Sequence, residues 1–462
     1  MSNDKVLGIV VIARHGDRQG FYQDPESYTA SATSITALGE TQEFALGSLL
    51  RSLYLNASSP TYIQGIANTS SLFQQNQVAV RADAGGEGGV IFDSAIALLQ
   101  GLWPATSLSN TTLADGTTVV SPLGGYQYVP IESVEPNQDV SLEGFTSCNT
   151  LNTRISNFYD SDEFLAKANQ SANFLSQLKP YMDGRAVTLE NMWNIFDYMN
   201  VQSIHSAAFA QSLPNTFLAQ ARDLANFHEY GVFSDASIDG IGNIAARTML
   251  PSILTAFNRI ANSSDPLKLH YSSISYKPFL SLFNMTGVVQ SGELPAAIVN
   301  YAASIVLEVR QPASGGEPVI RFNFKNGTDD TTYHAHNLTF SGWNGQGDVP
   351  LSTFTNTFKP AAINTTLQWC NVCGQTSLRG CGDLLGASPS SVSASSHHER
   401  FSLVGAGFLG AGLTAAVLLM SLAALIFFGI LTFGSKNKKT AHARFGSRAS
   451  DSGSESHSVR KA

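Results

Sequence analysis

Residues 6–20 read VLGIVVIARHGDRQG, an apolar run that ends abruptly in a polar motif. The run itself, residues 6–13, shows no alternation and is rich in valine and isoleucine, so it predicts a central strand buried on both faces. The polar residues Arg14, His15 and Arg18 then fall at the carboxyl end of this strand, the edge where open α/β sheets bind ligands. Charged side chains at the end of a buried strand are costly unless an anion meets them, so the stretch predicts an anion site.

This combination of side chains favours phosphoryl transfer. A neutral imidazole such as that of His15 can attack phosphorus and hold the phosphoryl group covalently, which divides one difficult hydrolysis into two easier steps. The guanidinium groups of Arg14 and Arg18 match phosphate oxygens with paired hydrogen bonds and stay charged at any working pH. The alternative is a surface turn with scattered charges, and the spacing alone does not separate the two interpretations.

The motif RHGDR at residues 14–18, placed behind a buried strand, resembles the RHGxRxP signature of histidine acid phosphatases, although Gly20 stands where the signature has proline. These enzymes form the second branch of the histidine phosphatase superfamily. The resemblance implies an α/β fold of the phosphoglycerate mutase-like kind, in which helices flank a mixed sheet. It also implies that His15 is the catalytic nucleophile and that Arg14 and Arg18 bind the phosphate. We expect no cofactor and no metal.

A second short strand, residues 77–81, ends in Arg81. It resembles the family strand whose arginine contributes a third guanidinium to the phosphate, so the resemblance implies that Arg81 is a further phosphate-binding residue. The alternative is an ordinary charge at a strand end. The following residues, 82–89, are rich in glycine and carry only the acids Asp83 and Glu87, where the family usually places another arginine.

The second half of the expected site departs from the family. Residues 271–275 read YSSIS where the family carries Y-S-A-H-D, so Ile274 stands in place of the histidine and Ser275 in place of the aspartate. In the family that aspartate protonates the leaving alcohol, and general acid assistance of this kind is worth about 10²–10⁴-fold. The departure leaves two interpretations: a phosphomonoesterase weakened by loss of its acid, or a catalytically degenerate, membrane-tethered phospho-ligand-binding or surface protein. Four carboxylic acids are candidates for a substitute acid: Asp17, Asp83, Glu87 and Glu293.

The globular part of the chain is predicted to span residues 1–385. Inside it, residues of about 105–250 read mainly as helices that are separated or kinked at Pro214 and Pro251. Helical insertions between core strands form the cap in the family, so the resemblance implies a cap of these bounds.

The C-terminal part changes composition. Residues 386–400 are a Ser-rich linker, and residues 401–433 contain no charged side chain. This apolar segment exceeds the roughly 20 residues that a transmembrane helix needs. Because the tail, residues 434–462, is basic and Ser-rich, it is expected in the cytosol, with the large domain extracellular or lumenal.

The bulk composition limits the partners. The net charge is −8 and only 13% of the residues are charged, which argues against a nucleic-acid-binding protein. The expected partners are a phosphorylated small molecule, as ligand or substrate, and the membrane reached through the C-terminal helix. The oligomeric state stays open.

The cysteine content favours disulfides. The chain has four cysteines, of which the last three lie close together: Cys148, Cys370, Cys373 and Cys381. A CxxC motif with one more cysteine is also compatible with zinc, but the fourth ligand would have to be remote, so two disulfides of open connectivity are favoured. His334 and His336 share one strand face, yet no third metal ligand accompanies them.

Nine Asn-x-Ser/Thr sequons precede the apolar segment, a density that fits a glycosylated lumenal or extracellular domain. They lie at Asn56, Asn68, Asn110, Asn169, Asn262, Asn284, Asn326, Asn337 and Asn364. No signal peptide precedes the first strand, so we expect a leader upstream of Met1.

Overall fold

A computed structural model describes residues 4–20 and 33–386, and in it the predicted first strand lies at the centre of an eight-stranded mixed sheet. This strand, β1 (Lys5–Arg14), is buried at every residue from Gly8 onward. The burial confirms the prediction of a strand covered on both faces, and it explains why the run lacks alternation.

The remaining elements follow in chain order. The other strands are β2 (Val78–Asp83), β3 (Thr111–Thr112), β4 (Thr118–Val119), β5 (Glu132–Val134), β6 (Leu269–Ile274), β7 (Ser304–Gln311), β8 (Val319–Lys325), β9 (His334–His336) and β10 (Val349–Pro350). The helices are α1 (Ala37–Leu50), α2 (Gly88–Leu102), α3 (Pro122–Gly125), α4 (Asn149–Tyr159), α5 (Asp162–Leu178), α6 (Met192–His205), α7 (Ala207–Ser212), α8 (Phe217–Val232), α9 (Ile244–Ala261), α10 (Lys277–Thr286), α11 (Leu351–Phe358), α12 (Thr366–Cys373) and α13 (Cys381–Gly386).

The sheet has the order β10-β8-β7-β1-β6-β2-β5, with β9 paired to β8. Strands β1, β6, β2 and β5 run parallel, whereas β7 is antiparallel to β1 and to β8. The expectation of a mixed sheet is therefore confirmed. Because β1, β6 and β2 are parallel neighbours, their carboxyl ends meet at one edge, and residues that follow them come together there.

Helices cover both faces of the sheet. On one face α1 and α2 pack against Val11 and Ala13, and on the other α9 and α10 pack against Val10 and Ile12. Helices α1 and α2 approach closely because Gly47 of α1 has no side chain: a Cβ there would lie 1.9 Å from the Leu98 carbonyl oxygen. This contact brings the start of α2 to the carboxyl edge of the sheet.

Helix α9 corrects one expectation. The sequence predicted a break or kink at Pro251 near the end of the cap, but α9 continues through this residue to Ala261. A proline inside a helix costs about 3 kcal/mol. The helical turns after it bury Ile253, Phe257 and Ile260 against the sheet, and burial of one such side chain contributes roughly 1.5–3 kcal/mol. Packing therefore outweighs the local penalty.

The prediction of disulfides is confirmed. Cys148 pairs with Cys373, and Cys370 pairs with Cys381. The two cysteines of the CxxC motif thus belong to different disulfides, which leaves no thiolate there for zinc.

Within residues 4–20 and 33–386, none of the helices combines the length and the apolar character that crossing a bilayer requires. The predicted transmembrane segment, residues 401–433, lies outside the described residues, and so do the tail and all but the first residue of the predicted linker.

Candidate active site

His15 directly follows β1 and is almost fully buried. Its backbone N–H donates to the Ile274 carbonyl at 3.2 Å, which ties the motif to the end of β6. The ring Nδ1 lies 2.8 Å from the carbonyl oxygen of Gly16, so the tautomer with its proton on Nδ1 donates there and leaves a lone pair on Nε2. Burial lowers the pKa of His15, and Arg14 and Arg18 lower it further against the opposing effect of Glu87. This combination favours the neutral imidazole that a nucleophile needs.

Gly16 and Asp17 lock the motif against its neighbours. A Cβ on Gly16 would lie 2.5 Å from the Gly39 carbonyl oxygen, so only glycine fits this approach to α1. The buried Asp17 carboxylate accepts from Thr36 Oγ1 at 2.5 Å and lies 2.8 Å from His205 Nε2. These partners make Asp17 a positioning residue for the motif, not an acid aimed at a substrate.

Arg18 is held between two carboxylates. Its Nε lies 2.9 Å from Glu87 Oε2 and its second amino group 3.1 Å from Glu87 Oε1. On the other side, its two amino groups lie 3.2 and 3.1 Å from the carboxylate of Asp197 on α6. Burial alone lowers the pKa of Arg18, but the two carboxylates outweigh burial and raise it. The guanidinium is therefore permanently charged and firmly oriented.

Glu87 also reaches the ring of His15. Its Oε2 lies 2.8 Å from His15 Nε2, although it lies off the direction of a ring N–H bond, so the contact is not an aligned hydrogen bond. Burial would raise the pKa of Glu87, but the guanidinium of Arg18 outweighs burial and holds this pKa well below its usual range. An ionised carboxylate thus lies between Nε2 and Arg18, where an anionic ligand of both groups has to bind.

Arg14 is the second buried cation of the motif. Its Cζ lies 4.5 Å from the ring centroid of Tyr301 and 5.2 Å from that of Tyr276, and one amino group donates to the Val299 carbonyl. Burial lowers the pKa of Arg14. Its Nε has no hydrogen-bond partner among the described residues, so one donor of this guanidinium is available to a ligand.

The structure does not bring Arg81 to this group. Arg81 of β2 pairs with Ser272 of β6, whereas Arg14 of β1 pairs with Ile274 of the same strand. Arg81 therefore lies two positions before the level of Arg14, about 7 Å along the strand direction. Its guanidinium instead contacts Glu132 at 2.7 Å and Asp139 at 2.6 Å. The sequence predicted a strand that ends at Arg81, but β2 continues to Asp83, so Arg81 lies inside the strand and not at its carboxyl end.

The residues at the expected second half-site supply no acid. The side chain of Ile274 packs into the core, and Ser275 is buried with its hydroxyl unpaired among the described residues. Beyond them, the Tyr276 hydroxyl donates to Glu229 at 2.7 Å. Lys277 begins α10. Arg14, Arg18 and Lys277 line one pocket together with Glu87, Trp193, Phe196, Asp197, Tyr276 and Ile298.

Several of these residues were not found from the sequence. Asp197 lies 179 residues after Arg18, within the predicted cap, and no local pattern marks it. Lys277 follows the YSSIS segment by two residues. A cation so close to the position where the sequence lacks the expected histidine and aspartate was the one available signal for Lys277.

Two further candidate acids lie away from His15. Glu293 contacts Asn337 at 3.1 Å and His336 at 3.3 Å, and His334 pairs with Asp330. Among the described residues, no cluster of three or more His, Cys, Asp or Glu side chains could hold a metal ion. The other candidate, Asp83, is buried at the end of β2 and accepts from the Gly85 N–H at 2.9 Å.

Asp83 makes the stability of the protein depend on pH. Burial and then Glu143 raise the pKa of Asp83 from its usual 3.8 to about 7, against smaller opposing effects of Gly85 and Lys277. The folded state therefore binds more protons than the unfolded state between these values, so stability rises as the pH falls from about 7 toward 4.

We expect Asp83→Asn to stabilise the protein at pH 8 by on the order of 4 kcal/mol, with the gain fading toward pH 4, because asparagine keeps the acceptor for Gly85 and cannot ionise. Denaturant unfolding at several pH values measures the difference. Asp223→Asn, at an exposed carboxylate, is the matched control and should show no such trend. A pH-independent effect of Asp83→Asn would contradict this account.

Comparison with known proteins finds similarity to acid phosphatases. It is 23% identical to lysosomal acid phosphatase of Bos taurus over 398 residues, which cover 82% of this chain and 84% of the relative. It is 22% identical to prostatic acid phosphatase of the same organism over 388 residues, which cover 82% and 90%. The phytase structure from Citrobacter braakii matches 80% of this chain and 99% of its own with a TM-score of 0.53 at 14% identity, which shows the fold alone. No model of a protein family matches the chain.

Proposed function

Because this chain belongs to the histidine acid phosphatase family, we propose that it hydrolyses phosphomonoesters through a phosphohistidine at His15. One observation carries the proposal: a buried imidazole is anchored through Nδ1, and its Nε2 and the Nε of Arg18 lie 2.8 and 2.9 Å from the same oxygen of Glu87. Arg14 adds a second buried cation to the same pocket. Phosphoryl transfer depends mainly on such positioning and on charge stabilisation.

The reaction takes two steps. His15 Nε2 attacks phosphorus, an N–P bond forms, and the P–O bond to the leaving alcohol breaks. Arg14 and Arg18 hold the phosphoryl oxygens while charge redistributes. Water then attacks the phosphohistidine, the N–P bond breaks, and inorganic phosphate leaves with His15 restored.

The Glu87 carboxylate has to move before this reaction begins. One of its oxygens contacts both groups that would bind the phosphoryl group, Nε2 of His15 and the guanidinium of Arg18. Two carboxylates therefore compete with phosphate for Arg18, since Asp197 holds its other side.

We expect Glu87→Gln to lower the inhibition constant of inorganic phosphate by about tenfold or more, because a charge-assisted hydrogen bond contributes roughly 1.5–3 kcal/mol. Competitive inhibition of p-nitrophenyl phosphate hydrolysis measures this constant. Glu132→Gln neutralises one of the two carboxylates that contact Arg81 outside the pocket and should leave the constant unchanged. Weaker phosphate inhibition in Glu87→Gln would show that Glu87 assists the ligand.

A second candidate function is phospho-ligand binding without turnover. The observation that favours it is the pair Ile274 and Ser275, neither of which can protonate a leaving alcohol at the end of β6. The cations of the pocket would then hold a phosphorylated ligand that stays intact.

An assay on the purified full-length protein separates the two functions. Hydrolysis of p-nitrophenyl phosphate that disappears in His15→Ala supports the phosphatase. Thermal stabilisation by inorganic phosphate without any turnover supports the binding protein. If neither effect occurs, both proposals are wrong.

We further propose that the domain is extracellular or lumenal, glycosylated and tethered by residues 401–433. Two disulfides support an oxidising compartment, because they rarely persist in the cytosol. None of the nine sequon asparagines is buried, which supports glycosylation of this domain.

A further inference from the structure

Transfer of a phosphoryl group from an alkyl ester leaves an alkoxide, which needs a proton to depart. A positioned proton donor contributes about 10²–10⁴-fold. Glu87 is held ionised, Asp17 is tied to Thr36 and His205, and Asp83 does not line the pocket. Asp197 also lines the pocket, but its carboxylate is paired with Arg18. The carboxylic acids near the motif are therefore poor donors to a substrate in this pocket.

Lys277 is a cation at the same pocket. As the first residue of α10, it lies two residues beyond Ser275 at the carboxyl edge of the sheet. Its Nζ lies 5.0 Å from the ring centroid of Tyr276, the same ring that lies 5.2 Å from the Cζ of Arg14. Lys277 and Arg14 thus contact one aromatic ring at the wall of the pocket that also contains Arg18.

The ammonium group of Lys277 has three donors and no acceptor within reach among residues 4–20 and 33–386: no carboxylate lies within 4.0 Å of it and it makes no hydrogen bond there. Its neighbours are aromatic faces, with Phe145 at 5.2 Å and Trp193 at 6.0 Å from Nζ. Lys325, which is more deeply buried, instead donates to the Gly327 carbonyl. The carboxylates of Glu143, Glu229 and Asp83 interact with this ammonium only at longer range. A partly buried ammonium whose direct contacts are ring faces retains its donors for a ligand.

We propose that Lys277 donates the proton to the leaving-group oxygen, a role that rests on the proposed phosphatase function. As the P–O bond breaks and the His15 N–P bond forms, the leaving oxygen takes a proton from the ammonium, which becomes a neutral amine. In the second step this amine takes a proton from the attacking water while the N–P bond breaks. Inorganic phosphate leaves, and the ammonium is restored.

The test compares two substrates in the full-length protein. p-Nitrophenyl phosphate has a leaving group that departs without a proton, whereas ethyl phosphate does not. We expect Lys277→Met to lower kcat/KM for ethyl phosphate by about 10²–10³-fold and that for p-nitrophenyl phosphate by less than about tenfold. Lys277→Arg keeps the charge but holds its proton too tightly, so it should retain the inhibition constant of inorganic phosphate without restoring ethyl phosphate hydrolysis.

Lys167→Met, at a lysine paired with Asp223 away from the pocket, is the matched control, and thermal midpoints verify that each variant is folded.

Equal losses of kcat/KM for both substrates would make Lys277 a phosphate ligand and overturn the proposal. The proposal would also be overturned if Lys277→Arg restored ethyl phosphate hydrolysis fully, or if Lys277→Met kept the wild-type kcat/KM for ethyl phosphate. A wild-type protein that cannot hydrolyse ethyl phosphate would overturn it as well. If the wild-type protein shows no His15-dependent turnover of either ester, the proposed function itself is wrong; His15-dependent turnover that is insensitive to Lys277 refutes only the role of Lys277.

Discussion

His15→Ala is expected to lower kcat/KM for p-nitrophenyl phosphate by at least about 10⁴-fold, because the variant lacks the atom that carries the phosphoryl group. A loss of this size corresponds to about 5.5 kcal/mol of transition-state stabilisation. The pocket that Arg14 and Arg18 line beside His15 holds as further nitrogen groups the ammonium of Lys277 and the indole of Trp193, and none of these four groups attacks phosphorus. Steady-state kinetics measures the loss.

The covalent intermediate gives a second readout for His15. Rapid quenching of wild-type protein during turnover should yield a peptide that contains residue 15 and carries one added phosphoryl group, and His15→Ala should yield none. Stabilisation by inorganic phosphate should persist in the variant, since Arg14 and Arg18 remain. His334→Ala, at an exposed histidine paired with Asp330, serves as the control and should retain full activity. Undiminished turnover by His15→Ala would exclude the proposed nucleophile.

Removal of the long-range disulfide is expected to destabilise the protein by about 5 kcal/mol. Cys148 and Cys373 are 225 residues apart, so their bond closes a very long loop in the unfolded chain and removes much of its entropy. The bond also ties α12 to the start of α4. The double variant Cys148→Ala/Cys373→Ala, unfolded by denaturant, measures the loss.

The second disulfide provides the matched control. Cys370 and Cys381 are only 11 residues apart, and their removal should cost about 3 kcal/mol on the same physical basis. All four cysteines are buried in one apolar cluster, so both double variants lose comparable packing. A larger loss from the short disulfide would show that local packing, not chain entropy, determines the effect.

The central strand and its motif were predictable because their signals are local. An apolar run without alternation occurs where both faces are covered, and β1 is buried in that way. An even number of cysteines, without a nearby fourth ligand for zinc, predicted disulfides, whereas the pairing of Cys148 with Cys373 required the folded chain.

The candidate site was predictable only in part. His15, Arg14 and Arg18 come together because they are neighbours in sequence, and their roles stay predictions. Arg81 was expected beside them, but strand register places it two positions short of the edge.

The sequence by itself determined the central strand, the motif of Arg14, His15 and Arg18 at its end, and the absence of a carboxylic acid at Ser275. Each of these depends on residue types and spacings within a short segment, and the resemblance that the motif carries implied the mixed sheet. Tertiary structure alone decided that Glu87 and Asp197 clamp Arg18, that Arg81 faces Glu132, and that Lys277 joins the pocket without a carboxylate partner among the described residues. These contacts join residues tens to hundreds of positions apart, and only strand register and helix packing determine which of them meet.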